Sequence, residues 1–276
     1  MYCIIGFSTF QTGTRRSHLA LLNTDSSGNQ NRLSYLPDGS VRSFDVSDSG
    51  RTYILLDRVT SHLVSQALLT YDDTGRLLEN NVFSEDINHI VWADGRVVGI
   101  SSNSIVDHLN EPEKISRLLV PTSGWLLRTT GPEAHLAVVE SRTATVHLIS
   151  LDSGVQKTIQ PDVQFFKDMA EQRRRELEKY ARGGVPPEAP AMIRAVTSGP
   201  EGSLFMRLPA YAPEVRESAV IEVSQTGVLL RTIELSLPIL AGDSSASERN
   251  LTGLQVTARN IYVLDRRGFL LDYKLP

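Results

Sequence analysis

The residues of this chain best suited to metal or proton chemistry are its six histidines, His18, His62, His89, His108, His135 and His147. No two of them form a His-x-x-x-His pair, which would set two imidazoles on one helix face. A zinc site needs three or four converging N, S or O ligands. Cys3 is the one cysteine, and a single thiol excludes both an intrachain disulfide framework and a multi-cysteine metal centre. Adjacent carboxylates occur at Asp72-Asp73 and Glu85-Asp86. Paired carboxylates do acid–base work only at a defined separation and with perturbed pKa values. Both pairs stand in turns or strand connections, where backbone capping and solvation account for them. There is no Gly-x-Ser-x-Gly elbow, P-loop or dinucleotide fingerprint. The sequence therefore assigns no catalytic residue, no metal ligand and no cofactor.

Charge and hydropathy narrow the partners. Among 276 residues, 41% are hydrophobic and 22% charged, enough apolar content for a sizeable core. A formal net charge of -4 offers no broad attraction to nucleic acid or anionic lipid. No apolar run reaches the ~18 to 20 residues of a membrane-spanning helix, so no membrane insertion is expected. The opening "MYCIIGFSTF" has neither a basic stretch before its apolar part nor a small-residue cleavage site after it. The expectation is a soluble monomer of open compartment, since residues upstream could carry an export signal.

The elements that must position any site come from a repeat. "TYDDTGRLLENNVF" (residues 70–83) sets two apolar runs around Asp-Asp-Thr-Gly, and similar punctuation returns in "LISLDSGVQKTIQ" and "IEVSQTGVLLRTIEL". Each reads as a tight hairpin, in which glycine takes a positive φ and a polar side chain bonds its own backbone. From Val41 onward, four units share one order of four short strands, beginning "VRSFDVS", "INHIVWA", "GWLLRTT" and "AMIRAVTS". The second strand of each, as in "TYILLD", "RVVGI", "HLAVVE" and "SLFMRL", is almost continuously apolar, as expected of a strand covered on both faces. In "TATVHLISL" the residues Ala144, Val146, Leu148 and Ser150 fall on one face and Thr145, His147 and Ile149 on the other, the period of two that a strand imposes. A sandwich or open barrel also uses short strands. The recurrence of a four-strand order every ~40 to 45 residues favours a β-propeller.

On the units "YILLD … LLTYDDTGRLLENNVF" and "LFMRLP … VIEVSQTGVLLRTIEL" and the terminal "GLQVTARNIYVLDRRGFLLDYKL", the chain resembles the six-bladed propeller superfamily of NHL-repeat, YVTN-type and TolB-like proteins. The Gly-His and Trp-Asp marks of WD40 blades are missing, and no double-glycine pattern repeats as in kelch blades. The resemblance implies an all-β, six-bladed propeller of four-stranded antiparallel blades, a single domain over residues 1–276. The terminal segments supply three strands each. The first lacks an innermost strand and the last an outermost one, so either these remnants pair to close a ring or residues are missing upstream. Propellers bind ligands at the axis, which makes Arg42, His89, Trp92, Arg128, Arg194 and Gln255, on or beside inferred first strands, the candidate ligand-binding residues. Arg128 and Arg194 could clamp an anion with forked hydrogen bonds, or all six could be solvated residues without a ligand.

One segment breaks the pattern. Within residues 163–189, a helical insertion followed by a Pro/Gly linker, the spacing of Phe166, Met169, Ala170, Arg173, Leu177 and Tyr180 predicts an amphipathic helix between blades four and five. Asp162 is placed to cap it, Gly183 to end it, and Glu171 to pair with Arg175. Phe165, Phe166, Met169 and Tyr180 are the candidate partner-binding residues, although the same apolar face could simply pack on the blades. A second long connection, "PILAGDSSASERN" (residues 238–250), is expected beside it. The functional expectation is a binding or scaffold propeller for a protein, peptide or glycan. The alternative is a lactonase or hydrolase with an axial divalent metal, for which the inferred first strands supply only Asp45, Asn88 and His89, few for the six to eight oxygens calcium takes.

Overall fold

The computed structural model describes residues 2–11, 14–24, 30–37, 39–60, 63–83, 85–102, 104–120, 124–129, 136–154, 156–180, 184, 188–199, 201–209, 217–236, 251–265 and 270–275. The chain divides into two compact units, Met1–Ser123 and Gly124–Pro276.

In the first unit, β1 (Tyr2–Gln11), β2 (Thr14–Thr24) and β3 (Gln30–Tyr35) form a three-stranded meander. The next sheet runs β4 (Ser40–Val46), β5 (Thr52–Thr60), β6 (Leu63–Tyr71) and β7 (Leu77–Phe83), and the third runs β8 (His89–Ala93), β9 (Arg96–Ile100), β10 (Ser104–Asp107) and β11 (Ser116–Leu119). A 3₁₀ turn, Pro112–Lys114, precedes β11.

The second unit repeats the plan with β12 (Trp125–Arg128), β13 (Leu136–Val139), β14 (Val146–Ile149) and β15 (Gln156–Ile159). It continues with β16 (Ala195–Ser198), β17 (Leu204–Arg207), β18 (Glu217–Val223) and β19 (Leu229–Ser236), then the three-stranded β20 (Leu251–Val256), β21 (Asn260–Asp265) and β22 (Leu270–Lys274). All of these strand pairings are antiparallel. The helix α1 (Gln164–Tyr180) lies between β15 and β16 in chain order.

This is an all-β propeller arrangement of four-stranded antiparallel blades with one helix. It counts five blades, not the expected six. The higher count treated each three-stranded terminal remnant as a blade of its own. Strand order within the four complete units matches the repeat, and so does burial of the second strands: Ile54–Leu56, Val97–Ile100, Leu136–Val139 and Leu204–Met206 are shielded from water. Outer strands β7, β11 and β15 are exposed along most of their length. Val146–Ile149 form β14 as expected, paired to β13 and β15 and buried at all four residues, and Ala144 sits in the preceding turn at φ 57°.

The hairpin reading holds at atomic detail. The Thr74 hydroxyl and the Arg76 N–H both donate to Asp72 Oδ1, at 2.6 and 2.8 Å, and Gly75 takes φ 71°. At the equivalent Gly227, φ is 86° and an added Cβ would stand 2.6 Å from Ile159 Cγ2. Here glycine is required twice, for its conformation and for the approach of the β15–α1 segment. That segment is tied down by Asp162, whose N–H donates to the Gly227 carbonyl at 2.8 Å beside a parallel bridge to Val228.

The helix is seated by its N-terminal half. Val163, Phe166 and Met169 join Ala137, Val139, Val146, Leu148 and Ile159 from one sheet and Val196, Met206 and Ile221 from the next in one apolar cluster. Burying a side chain such as Phe166 stabilises by roughly 1.5–3 kcal/mol relative to exposing it. Asp162, the expected cap, places its carboxylate 2.5 Å from Lys167 Nζ. Gly183 and residues 238–250 lie outside the described residues.

Candidate functional site

Arg42 owes its direction to a backbone irregularity. The β4–β5 register slips between Val41 and Ser43, so Arg42 is the extra residue of a β-bulge, a device that re-aims a side chain. Its Nε donates to Asp57 Oδ2 at 2.6 Å, and Nη1 reaches Asn88 Oδ1 at 3.0 Å and Asp86 Oδ1 at 3.2 Å. The hydrogen bond to Asp57 holds the guanidinium pKa above its ordinary value. Asp57 accepts a second bond from Gln66 Nε2 at 2.9 Å, and the Gln66 amide clamps the backbone of Ile87 through both its polar atoms.

The next residues of β4 continue this clasp onto β8. Buried Ser43 Oγ accepts from the Ile90 N–H at 3.2 Å. The Asp45 carboxylate accepts from the Val46 N–H at 2.8 Å and the Trp92 N–H at 2.6 Å. Trp92 stacks on Tyr53, with centroids 5.1 Å apart and planes 8° from parallel. Burial raises the Tyr53 phenol pKa. His89 opens β8 between these contacts. Its Nδ1 is buried and has no hydrogen-bond partner among the described residues, and burial pushes the imidazole pKa below its ordinary value. Arg42, His89 and Trp92 thus share one strand junction, where Arg42 and Trp92 are committed to holding it. Asp45 and Asn88, two of the oxygens considered for an axial metal, are committed there as well.

Arg128, Arg194 and Gln255 belong to the second unit. Arg128 ends β12 half-buried. Arg194 stands one residue before β16 with an exposed side chain, and its N–H donates to the Arg207 carbonyl at 2.9 Å. Gln255 is exposed on β20, its Nε2 3.5 Å from the Val256 carbonyl. Among the described residues no group of three or more His, Cys, Asp or Glu converges as a metal site would require, and no helix is long and apolar enough to cross a membrane.

The helix splits the four apolar candidates. Phe166 and Met169 are buried at 2% and 7% exposure, and Phe165 packs edge-on to Phe166 at 5.5 Å, half-buried. About two and three turns beyond Met169 on the same stripe, Leu177 and Tyr180 emerge at 42% and 38% exposure. An ion network braces this end. Glu171 Oε1 accepts from Arg174 Nη2 at 2.8 Å and Arg175 Nε at 3.0 Å, and Arg174 Nη1 bonds Glu178 at 2.9 Å. The hydrogen bonds from Arg174 and Arg175 hold the Glu171 carboxyl down to about 2.

No family model matches the chain, and no curated protein does. Solved structures match by fold. A crystal structure of BBS1N in complex with ARL6DN, soaked with lead, is similar at TM-score 0.52 and 13% identity, over 99% of this chain and 78% of that one. The same complex soaked with mercury gives 0.49 at 12% identity, over 99% and 78%. A protein of unknown function from Bacteroides caccae gives 0.48 at 10% identity, over 79% and 77%. At these identities the likeness is one of fold.

Two polar groupings escaped the sequence reading. Buried His147 bonds Glu140 Oε1 through Nε2 at 3.1 Å and Thr158 Oγ1 through Nδ1 at 3.2 Å. His147 lies opposite Val138 in the hairpin, so Glu140 is its diagonal neighbour, a relation visible once register is known. In the first unit, His108, at φ 59°, stands between Arg96 (Nη1 at 3.4 Å) and Glu111 (Oε1 at 3.5 Å), with Asp107 salt-bridged to Arg96 at 3.2 Å. Nothing in the spacing of these residues signals that cluster.

Proposed function

We propose that this chain is a non-enzymatic binding platform that docks a protein partner on the exposed C-terminal half of α1. The observation that carries this reading is the divided apolar stripe, with Phe166 and Met169 locked into the core while Leu177 and Tyr180 stand in water on the same helix. A helix anchored at one end and braced by ion pairs along the other has little conformational freedom left to lose on binding, which favours affinity. A half-exposed tyrosine beside a leucine supplies the amphipathic contact enriched at protein interfaces. A protein of like fold, BBS1N, is known in complex with ARL6DN, so the architecture is compatible with protein docking. Arg194, just before β16, and Gln255, on β20, keep exposed side chains, and we assign them no part of the docking face.

A photo-crosslinking amino acid at position 180, compared with one at Thr158 on β15, tests the reading. A single protein adduct is expected from position 180 and none from position 158, and the adduct should vanish with Leu177→Asp. Equal labelling at both positions, or labelling indifferent to Leu177→Asp, would overturn it.

A further inference from the structure

We infer that β7 is a self-association edge, at which two copies of this chain pair their Leu77–Phe83 strands antiparallel about Asn80. Among the described residues β7 ends its sheet and is bonded to β6 alone. An edge strand is a template for another strand unless charge, proline, a bulge or a covering segment blunts it. Each of the outer strands β11, β15 and β19 carries a basic residue, although β11 and β19 also expose leucines. β11 carries Arg117 beside an exposed Leu119, and β15 carries Lys157 amid exposed polar residues. β19 carries Arg231, and the residue before it, Val228, is bridged to Asp162. β7 has no lysine, arginine or proline, and it exposes Leu77, Leu78 and Val82, the last at 59%. Its one bulge, at Leu78, lies at the turn end and leaves Glu79–Phe83 in regular register with β6.

The occupant follows from the sequence of the strand itself. With Asn80 on a two-fold axis, Leu77 meets Phe83, Leu78 meets Val82, and Glu79 meets Asn81, while the two Asn80 amides face each other. Every apolar residue then opposes an apolar one, and the single charge of the strand opposes an amide. Centring on Glu79 would set like charges directly opposite, and centring on Asn81 would set Glu79 against Phe83 and Asn80 against Val82. A two-fold contact of this kind closes on itself as a dimer, with no further free edge of the same type. This departs from the monomer expected of the sequence and is independent of the face assigned to α1.

Sedimentation equilibrium of the full chain over a range of concentrations tests it. A reversible dimer is expected, weakened at least tenfold by Val82→Lys, which puts a charge against Leu78 of the second copy, with the melting temperature unchanged. Because that variant could disturb folding, a second one reads the contact in a native strand. Asn80→Cys in a Cys3→Ser background should oxidise to a disulfide-linked dimer much faster than Thr158→Cys does. A chain that stays monomeric overturns the proposal. So does a dimer indifferent to Val82→Lys in a folded variant, or one whose Asn80→Cys form crosslinks no faster than Thr158→Cys, including the case where β7 takes a strand from a different protein.

Discussion

The two compact units both pack neighbouring sheets through apolar clusters, but each adds a different fastening. In the first, inner strands β4 and β8 are sewn together by side chains bonded to backbone, with Ser43 on Ile90 and Asp45 on Trp92, and Arg42 closing the end through Asp57 and Asp86. In the second, sheets β12–β15 and β16–β19 share a wedge of apolar residues from α1. On β4 the polar residues Arg42, Ser43 and Asp45 are consumed by architecture. In the second unit Arg194, one residue before β16, and Gln255, on β20, stay exposed. An arginine on a propeller's inner strand is therefore a ligand candidate only after its neighbour's backbone has been accounted for.

The comparison breaks first at Phe166. Phe166→Ala should cost about 3–5 kcal/mol by removing a fully buried ring and leaving a cavity. Amide exchange should show the loss in β12 to β19 and leave β4 to β11 protected. A uniform loss across both units would mean that they unfold as one, and the contrast would then lack energetic meaning. Asp45→Ala comes next, since it strips partners from the Val46 and Trp92 N–H groups, and unmet donors of this kind cost about 1–3 kcal/mol. Its urea midpoint should fall with exchange accelerating at β4 and β8, whereas a change under about 0.5 kcal/mol, the size of an ordinary surface substitution, would reduce the clasp to decoration.

The smallest effect is one of pH. Burial lowers the folded-state pKa of His89, so below the unfolded value of about 6.5 the unfolded chain binds a proton that the folded chain resists. Stability of the first unit should decline as pH falls from about 7 through 6, and His89→Gln should flatten that part of the curve. An unchanged slope in the variant would locate the titration elsewhere. Glu171 works in the other direction of ionisation. Its carboxyl, held to about 2 by Arg174 and Arg175, gives support that is complete above its ordinary value near 4.5 and lost as pH falls towards 2. The two transitions therefore occupy separate windows.

The strands and hairpins were legible because they are local. Residues 70–83 specify their turn through Asp72 and Gly75, and period and punctuation mark all four complete units. Blade number was not legible, since it depends on how two three-stranded remnants are used and no residue in either one states this. Arg42 was found as an inner-strand residue, but a one-residue bulge decides where it points, and nothing around Val41-Arg42-Ser43 announces a bulge. The helix was legible from its spacing, and its division into a buried and an exposed half was not. That division depends on how far the sheets β12–β15 and β16–β19 extend beneath it.

The most direct measurement uses the protein captured at position 180, purified and titrated by calorimetry against two double variants. Leu177→Asp with Tyr180→Asp should weaken binding on the order of a hundredfold, as loss of two central contacts does. Arg128→Ala with Arg194→Ala should leave it within about twofold, as changes outside a contact face do. The reverse pattern, with binding lost at the arginines and kept at the helix, would contradict the account and return the site to the inner strands.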